Sequence, residues 1–256
     1  METLLEGEGV SKYFGGLAAL ADLNFQVRKG EIVGLIGPNG AGKTTLINVI
    51  TGISPLSRGT IRFKGEDITY AKPHHIGQMG IARTFQIVKP FSGMTFEENV
   101  LIGALFGKSG MKRTLPEASK KVEEVLKFVG LTKKKDTPVE GTTLPDRKRL
   151  ELAKALAMEP ELLLLDEVMA GLTPRETEDV MALVKELKQA GITILVIEHV
   201  MKAIMGISDR IIVLHQGESI AEGTPDAITR NEKVIAAYLG TRYAKRKEFE
   251  VGHVGS

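Results

Sequence analysis

The residues best suited to chemistry include a glycine-rich stretch at positions 37–44, GPNGAGKT, which fits the pattern G-x-x-x-x-G-K-[ST]. Glycines let the backbone approach phosphate oxygens, and the amide groups at the start of a following helix attract the anion. In such a loop Lys43 reaches the outer phosphates and the Thr44 hydroxyl coordinates Mg²⁺. The predicted contacts are Gly37, Pro38, Asn39, Gly40, Ala41, Gly42, Lys43, Thr44 and Thr45.

A pair of acidic residues, Asp166 and Glu167, follows the apolar run at positions 162–165. After a buried strand, Asp166 is placed to bind Mg²⁺ through water, and Glu167 to polarise an attacking water as a general base, a role worth about 10² to 10⁴ in rate. The pair could instead be the first turn of a helix. The phosphate loop favours the strand, because such a loop needs a second site for its metal.

The elements around these residues predict an α/β fold. An apolar run at positions 31–36 precedes the phosphate loop, a helical pattern follows it, and two further apolar runs at 162–165 and 192–197 are joined by another helical pattern. Apolar strands joined by helices are typical of a parallel sheet covered on both faces. We therefore expect a P-loop NTPase core with a mostly parallel sheet, an N-terminal antiparallel β subdomain and a helical insertion.

The domain boundaries follow from where strand signals stop. Alternating apolar residues fill much of the first sixty positions, whereas positions 95–156 carry helix signals, including a capping box from Thr95 to Glu98. We predict one ATPase domain over 1–240, with 1–90 and 157–240 forming the core and β subdomain and 91–156 the helical subdomain. Residues 241–256 form a polar tail.

Composition restricts the class of protein. The chain has 256 residues, a net charge of +2 and no cysteine, so a disulfide framework and a thiolate metal site are excluded and no nucleic-acid partner is expected. A membrane span needs about 20 apolar residues, and the longest apolar runs stop at Asp166 and Glu198. The first residues lack the pattern of a secretory signal, so export is not expected.

In this order, the motifs resemble those of the ATP-binding subunits of ABC transporters, from about Leu4 to Gly240. Positions 83–86, RTFQ, are similar to the family's Q-loop, which implies that Gln86 contacts Mg²⁺ and the attacking water. His199, after the apolar run at 192–197, resembles the switch histidine that contacts the γ-phosphate. The resemblance implies ATP and Mg²⁺ as cofactors. It gives Glu167, His199 and Gln86 catalytic roles, and Thr44, Gln86 and Asp166 metal roles.

An aromatic residue near the start completes the implied nucleotide site. Positions 11–16, SKYFGG, look like the family's adenine-stacking segment. Phe14 is the preferred residue and Tyr13 the second choice. The alternative is that this aromatic residue packs in the hydrophobic core and does not contact the nucleotide.

Three shorter stretches look like the branched-chain amino acid importer branch, at positions 80–86, at 197–199 with 205–210, and at 237–240. This implies a peripheral ATPase on the cytoplasmic face of the membrane, with a second ABC ATPase, two transmembrane permeases and, indirectly, an extracytoplasmic solute-binding protein. A heterodimer is favoured over a homodimer. ATPases for urea, short amides or lipopolysaccharide export share parts of these patterns, so the cargo stays open. The resemblance also implies that a short permease helix binds in a groove near positions 87–91 and Phe96 of this chain. Phe91 and Phe96 could equally be residues of the hydrophobic core.

The family pattern fails at one motif. Where relatives carry Leu-Ser-Gly-Gly-Gln, which clamps the ATP of the opposite subunit, this chain has TTLPD at positions 142–146. Thr143 keeps the hydroxyl, but Leu144 and Pro145 replace two glycines, and proline has no NH to donate. The alternative is therefore a nucleotide-binding regulatory subunit with little hydrolysis of its own. An ABC protein acting on DNA or ribosomes is disfavoured, because the chain lacks a coiled-coil insertion and a second cassette.

Overall fold

The computed structural model describes residues 2–86, 90–108 and 113–239. The strands are β1 Thr3–Phe14, β2 Leu17–Arg28, β3 Ile32–Ile36, β4 Arg58–Phe63, β5 Glu66–Asp67, β6 Ile81–Arg83, β7 Leu162–Asp166, β8 Thr193–Ile197, β9 Arg210–His215 and β10 Glu218–Gly223. The helices are α1 Lys43–Ile50, α2 Pro73–Met79, α3 Phe96–Phe106, α4 Leu115–Phe128, α5 Leu144–Ala157, α6 Pro174–Gln189, α7 Met201–Ile207, α8 Pro225–Thr229 and α9 Glu232–Leu239.

The larger sheet of the described chain has the strand order β10-β9-β3-β8-β7-β6. Strands β9, β3, β8, β7 and β6 pair in parallel, and only β10 runs antiparallel to its neighbour β9. Every residue of β3, β7 and β8 is buried, as expected for strands with helices on both faces. The carboxyl ends of β3, β7 and β8 therefore lie at one edge, which brings together the segments that follow them.

A second sheet, with the order β2-β1-β4-β5, is antiparallel. Its apolar face packs on α1, with residues such as Phe25, Phe63 and Leu46 in one buried cluster. This contact fixes the end of β1 beside the phosphate loop. The predicted combination of a mostly parallel sheet and an N-terminal antiparallel sheet is confirmed.

Between β6 and β7 the described residues form helices and no strand. Thr95 caps α3, and both hydrogen bonds of the predicted capping box between Thr95 and Glu98 are present. Phe96 is fully buried, so its alternative role as a core residue is the correct one. The subdomain boundaries at 90 and 157 stay a prediction, and the polar tail at 241–256 lies outside the described residues.

The end of α3 packs directly on the end of α5 through Gly107. A Cβ atom at this position would lie 2.3 Å from Met158 Cα and 2.6 Å from its carbonyl oxygen. The Lys108 amide donates to the same oxygen at 3.0 Å. The absence of a side chain at residue 107 allows this close approach, and Gly103 allows a second one, because a Cβ there would lie 2.4 Å from the Lys154 carbonyl oxygen.

We predict that Gly107→Ala lowers the free energy of unfolding by about 1–3 kcal/mol, because backbone atoms must move to admit the methyl group. Urea denaturation would measure the change. Gly16→Ala is the matched control, because a Cβ there meets nothing within 4 Å, and it should leave stability unchanged or slightly raised. Equal stability of the two variants would show that α3 and α5 can separate without loss.

Candidate functional site

The phosphate loop joins β3 to α1, as the sequence predicts. Two of its glycines are required by the backbone. At Gly37, with φ 155°, a Cβ would lie 2.1 Å from the Leu214 carbonyl oxygen, and at Gly42, with φ 104°, it would lie 2.5 Å from the Ala19 carbonyl oxygen. The loop can therefore adopt this backbone conformation between β9 and β2 only with glycine at these positions.

The Lys43 side chain is buried within this loop. Its Nζ donates to the carbonyl oxygens of Gly37 at 2.7 Å and Pro38 at 3.0 Å. Burial lowers the pKa of Lys43, while the charges of Glu167 and Asp166 act in the opposite direction. The amine thus lies within electrostatic reach of both acidic residues predicted from the sequence.

Glu167 is the point where three predicted residues meet. Gln86 Nε2 donates to Glu167 Oε2 at 2.7 Å, and His199 Nε2 lies 2.7 Å from Glu167 Oε1. Glu167 follows β7, His199 follows β8 and Gln86 follows β6, so the shared edge of the sheet creates the cluster. A carboxylate held between an amide and an imidazole at the mouth of a phosphate loop can accept a proton from water.

Asp166, the last residue of β7, is almost completely buried, and its Oδ2 accepts a hydrogen bond from Arg83 Nη2 at 2.7 Å. Arg83 also donates from Nη1 to Asn48 Oδ1 of α1 at 2.6 Å. The other carboxylate oxygen of Asp166, Oδ1, has no hydrogen-bond partner. The sequence contained Arg83 within the Q-loop-like stretch, but nothing in its spacing indicated this ion pair.

The residues present fit a magnesium ion. The buried Oδ1 of Asp166 has no partner and is an oxygen donor of the type Mg²⁺ prefers. Thr44 and Gln86 are exposed and line one cleft together with Glu167, the next residue after Asp166. Across the described ranges, no group of three or more His, Cys, Asp or Glu side chains could hold a metal. Mg²⁺ keeps several waters and takes substrate phosphates as ligands, so it needs few protein ligands.

A cleft of about 850 Å³ connects these groups. Phe14 lines one side and is 54% exposed, so the alternative of a core aromatic is wrong. Tyr13, the second choice, is not among the lining residues. The cleft is lined by Phe14, Leu17, Ala18, Ala19, Asn39, Gly40, Ala41, Gly42, Lys43, Thr44, Thr45, Gln86, Glu167, His199 and Gln216.

Two buried charged residues next to Glu167 were missed by the sequence reasoning. Lys148 Nζ donates to the backbone carbonyl oxygen of Glu167 at 2.8 Å, and Glu198 Oε1 accepts from the Met169 amide at 2.7 Å. Lys148 has 6% and Glu198 2% of its surface exposed. Burial of Lys148 could have been predicted from the sequence, because Lys148 falls on the apolar face of a predicted helix.

The altered turn at positions 142–146 begins α5. Thr143 is the N-cap, its Oγ1 accepts from the Asp146 amide, and the Arg147 amide donates to the Thr143 carbonyl oxygen. Pro145, at the second helical position, has no NH. Of the first three helical residues, therefore, only Leu144 has an amide that is neither missing nor used by the cap.

Asp146 places a negative charge at this turn. Burial raises the pKa of Asp146, but hydrogen bonds from Lys134 and Thr143 outweigh it and leave the pKa below its ordinary value. The carboxylate is therefore ionised at neutral pH, where it pairs with the Lys134 ammonium group. Thr143 Oγ1 donates to it at 2.6 Å, so this hydroxyl is already engaged.

We predict that Arg83→Met lowers the free energy of unfolding by about 3–5 kcal/mol, because it leaves the buried Asp166 charge without its partner. Asp166→Asn added to this variant should recover part of the loss. Arg62→Met, at the exposed pair with Glu8, is the control and should change stability by less than about 1 kcal/mol. Chemical denaturation of the three variants measures this, and an Arg83→Met protein as stable as the control would contradict the buried pair.

None of the helices in the described ranges is long and apolar enough to cross a membrane. Residues 20–170 match the family model described as ABC transporter, and residues 218–244 match the one described as branched-chain amino acid ATP-binding cassette transporter.

Among curated proteins, the chain is 40% identical to the high-affinity branched-chain amino acid transport ATP-binding protein BraF of Pseudomonas aeruginosa, over 93% of this chain and 98% of the relative. It is also 40% identical to the corresponding protein LivG of Escherichia coli, with the same coverage.

Among solved structures, a nucleotide-free ATP-binding cassette from an ABC transporter superposes with a TM-score of 0.85 at 34% identity, over 93% of this chain and 99% of that one. A cassette in its ADP conformation gives the same TM-score and identity over 94% and 100% of the two chains. With the phosphate loop and the cluster around Glu167 in place, the chain belongs to the ABC transporter family, as one of its ATP-hydrolysing cassettes.

Proposed function

We propose that this ATPase energises the import of branched-chain amino acids or similar small polar solutes through partner permeases. The observation that carries the catalytic part is the Glu167 carboxylate, held between Gln86 and His199 beside the phosphate loop. The cargo class is supported by the names of the relatives BraF and LivG and by the family model matched at residues 218–244.

In the proposed site, ATP lies along the cleft with its base against the exposed ring of Phe14. Its phosphates contact the amides of residues 37–45 and the amine of Lys43. Thr44, Gln86 and Asp166 would hold Mg²⁺, which neutralises charge on the transferred phosphoryl group. Glu167 takes the proton of the attacking water, and His199 contacts the γ-phosphate oxygens.

The electrostatics support this division of roles. Asp166 already has Arg83 as a partner and is almost inaccessible, so it is suited to a fixed role at the metal. Glu167 has both oxygens at the cleft, where hydrogen bonds with Gln86 and His199 can be exchanged for one with water. The adjacent carboxylates therefore differ in access, which separates the metal ligand from the base.

The proposed assembly is a second ABC ATPase, two transmembrane permeases and, indirectly, an extracytoplasmic solute-binding protein, with this chain peripheral on the cytoplasmic face of the membrane. Phe91 supports the docking site, because 44% of its surface is exposed. Phe96 takes no part, since it is buried. Positions 87–89 of the predicted groove lie outside the described residues.

The turn that begins α5 favours a division of labour between the two ATPases. In a sandwich of two cassettes this turn faces the ATP of the partner, and here it offers the amide of Leu144 beside the anionic Asp146. A heterodimer with a regular partner would then have one complete site, on this chain's phosphate loop, and one impaired site. The same feature motivates the second candidate, a regulatory subunit with little hydrolysis of its own.

We predict that Glu167→Gln keeps ATP binding and nearly abolishes turnover in the assembled complex, because the base is lost while the phosphate contacts remain. Lys43→Ala should instead weaken ATP binding itself. Equilibrium binding of labelled ATP and steady-state hydrolysis separate the two effects. A Glu167→Gln protein that hydrolyses ATP like the parent would show that Glu167 is not the base.

We further predict that the two sites of the heterodimer are unequal, with the site facing Pro145 slower by about 10² to 10³, the effect of losing one preorganised donor. Lys43→Ala in this chain should abolish turnover, whereas the equivalent lysine change in the partner should reduce it much less. A homodimer of this chain should be nearly inactive. Equal damage from the two lysine variants, or a fully active homodimer, would contradict the asymmetry.

A further inference from the structure

Lys148 is a lysine buried in an unusual position. It belongs to the second turn of α5, has 6% of its surface exposed, and points its amine at the carboxyl edge of the sheet. There Nζ donates to the backbone carbonyl oxygen of Glu167 at 2.8 Å. A long cationic side chain loses both hydration and rotamer freedom when it is buried, so this contact has to compensate for both.

The residue it contacts has a left-handed backbone. Glu167 has φ 53°, a conformation that few residues other than glycine adopt. Its amide donates to the Ile197 carbonyl oxygen at 2.9 Å, and its carbonyl accepts from Lys148. Hydrogen bonds on both sides of the residue therefore hold it in a conformation that it would otherwise leave.

This backbone decides where the carboxylate lies. Asp166, one residue earlier, is in the strand and directs its carboxylate into the interior towards Arg83. The left-handed turn at Glu167 sends the next side chain into the cleft instead, where Gln86 and His199 meet it. If residue 167 relaxed to an extended or right-handed backbone, the carboxylate would leave these partners.

The surroundings of Lys148 are acidic. Burial lowers the pKa of Lys148, and the charges of Glu198, Glu167, Asp166 and Glu151 act in the opposite direction. Glu198 is the most important of these, because it is 2% exposed and its Oε2 has no hydrogen-bond partner. Lys148 thus supplies positive charge where several carboxylates are crowded together.

We propose that Lys148 is a positioning residue for ATP hydrolysis, which holds the backbone of Glu167 in the left-handed conformation that directs its carboxylate into the cleft. The inference rests on the proposed role of Glu167 as the base. Because Lys148 and the Thr143 cap belong to the same helix, a shift of α5 at the subunit interface also moves the support of the base.

The test is Lys148→Met in the full-length chain, which keeps the apolar stem and removes the donor. In the assembled complex, kcat should fall about tenfold to a hundredfold, the range expected when a catalytic group is misplaced by about 1 Å. The affinity of the isolated chain for labelled ATP should stay unchanged, because Lys148 does not line the cleft. Lys148→Arg, which keeps a cationic donor, should recover a large part of kcat.

A second variant separates positioning from folding. Lys148→Met removes the positive charge that lowers the pKa of the buried Glu198 carboxyl, and it should therefore lower the melting temperature. Adding Glu198→Gln removes that charge while keeping an oxygen for the Met169 amide, so stability should recover. If kcat stays low when the melting temperature is restored, positioning is supported. If kcat recovers together with stability in the double variant, Lys148 is only a structural residue and the proposal is wrong.

Two further variants identify which idea has failed. Lys127→Met, an exposed lysine at the end of α4, is the control and should leave kcat and melting temperature unchanged. If Glu167→Gln hydrolyses ATP like the parent, the base was misassigned and the proposal fails with it. If Glu167→Gln is inactive while folded Lys148→Met turns over like the control, only the role of Lys148 is refuted.

Discussion

The parallel pairing of β3, β8 and β7 is the constraint on which the site depends. Parallel strands end at the same edge, so the phosphate loop after β3, the acidic pair at the end of β7 and His199 after β8 meet although they are far apart in sequence. β6 extends this arrangement to Gln86. The helices that join the strands bury both faces of the sheet, and the antiparallel sheet packed on α1 adds Phe14 to the rim of the cleft.

Charge balance is the second organising feature of this edge. Arg83 pairs with Asp166. Lys148 contacts the backbone of Glu167, and Lys43 of the phosphate loop lies within electrostatic reach of the Glu167 carboxylate. A buried charge without a partner strongly destabilises a fold. The opposite charges therefore let carboxylates crowd beside a phosphate site. Contacts of the same cations also fix how two helices meet the sheet, since Arg83 donates to Asn48 of α1 and Lys148 of α5 donates to the Glu167 carbonyl oxygen.

Helix α5 links the two surfaces that matter for turnover. Its first turn is capped by Thr143 and would face the second ATPase in the proposed assembly, and Lys148 in its second turn reaches the backbone of Glu167. The replacement of glycines by Leu144 and Pro145 is compatible with the helix, since proline is well tolerated in a first turn. What the replacement changes is the set of amides available to a ligand, and the proposed inequality of the two ATP sites rests on this change.

The sequence by itself determined the class of fold, the phosphate loop, the order of the apolar strands and the acidic pair, because each depends on local patterns: glycine and lysine spacing, runs of buried residues and helix caps. The roles of Gln86, His199 and Phe14 came from the resemblance of short motifs to a family, and the structure brings these residues to one cleft. Only the tertiary structure decided that Phe96 is core and Phe14 exposed, since a neighbouring element covers Phe96 and none covers Phe14 to the same extent. It alone also revealed the contacts of Arg83 with Asp166 and of Lys148 with the Glu167 carbonyl. These pairs join residues far apart in the chain, and the left-handed backbone of Glu167 is held by distant hydrogen bonds that no local pattern encodes.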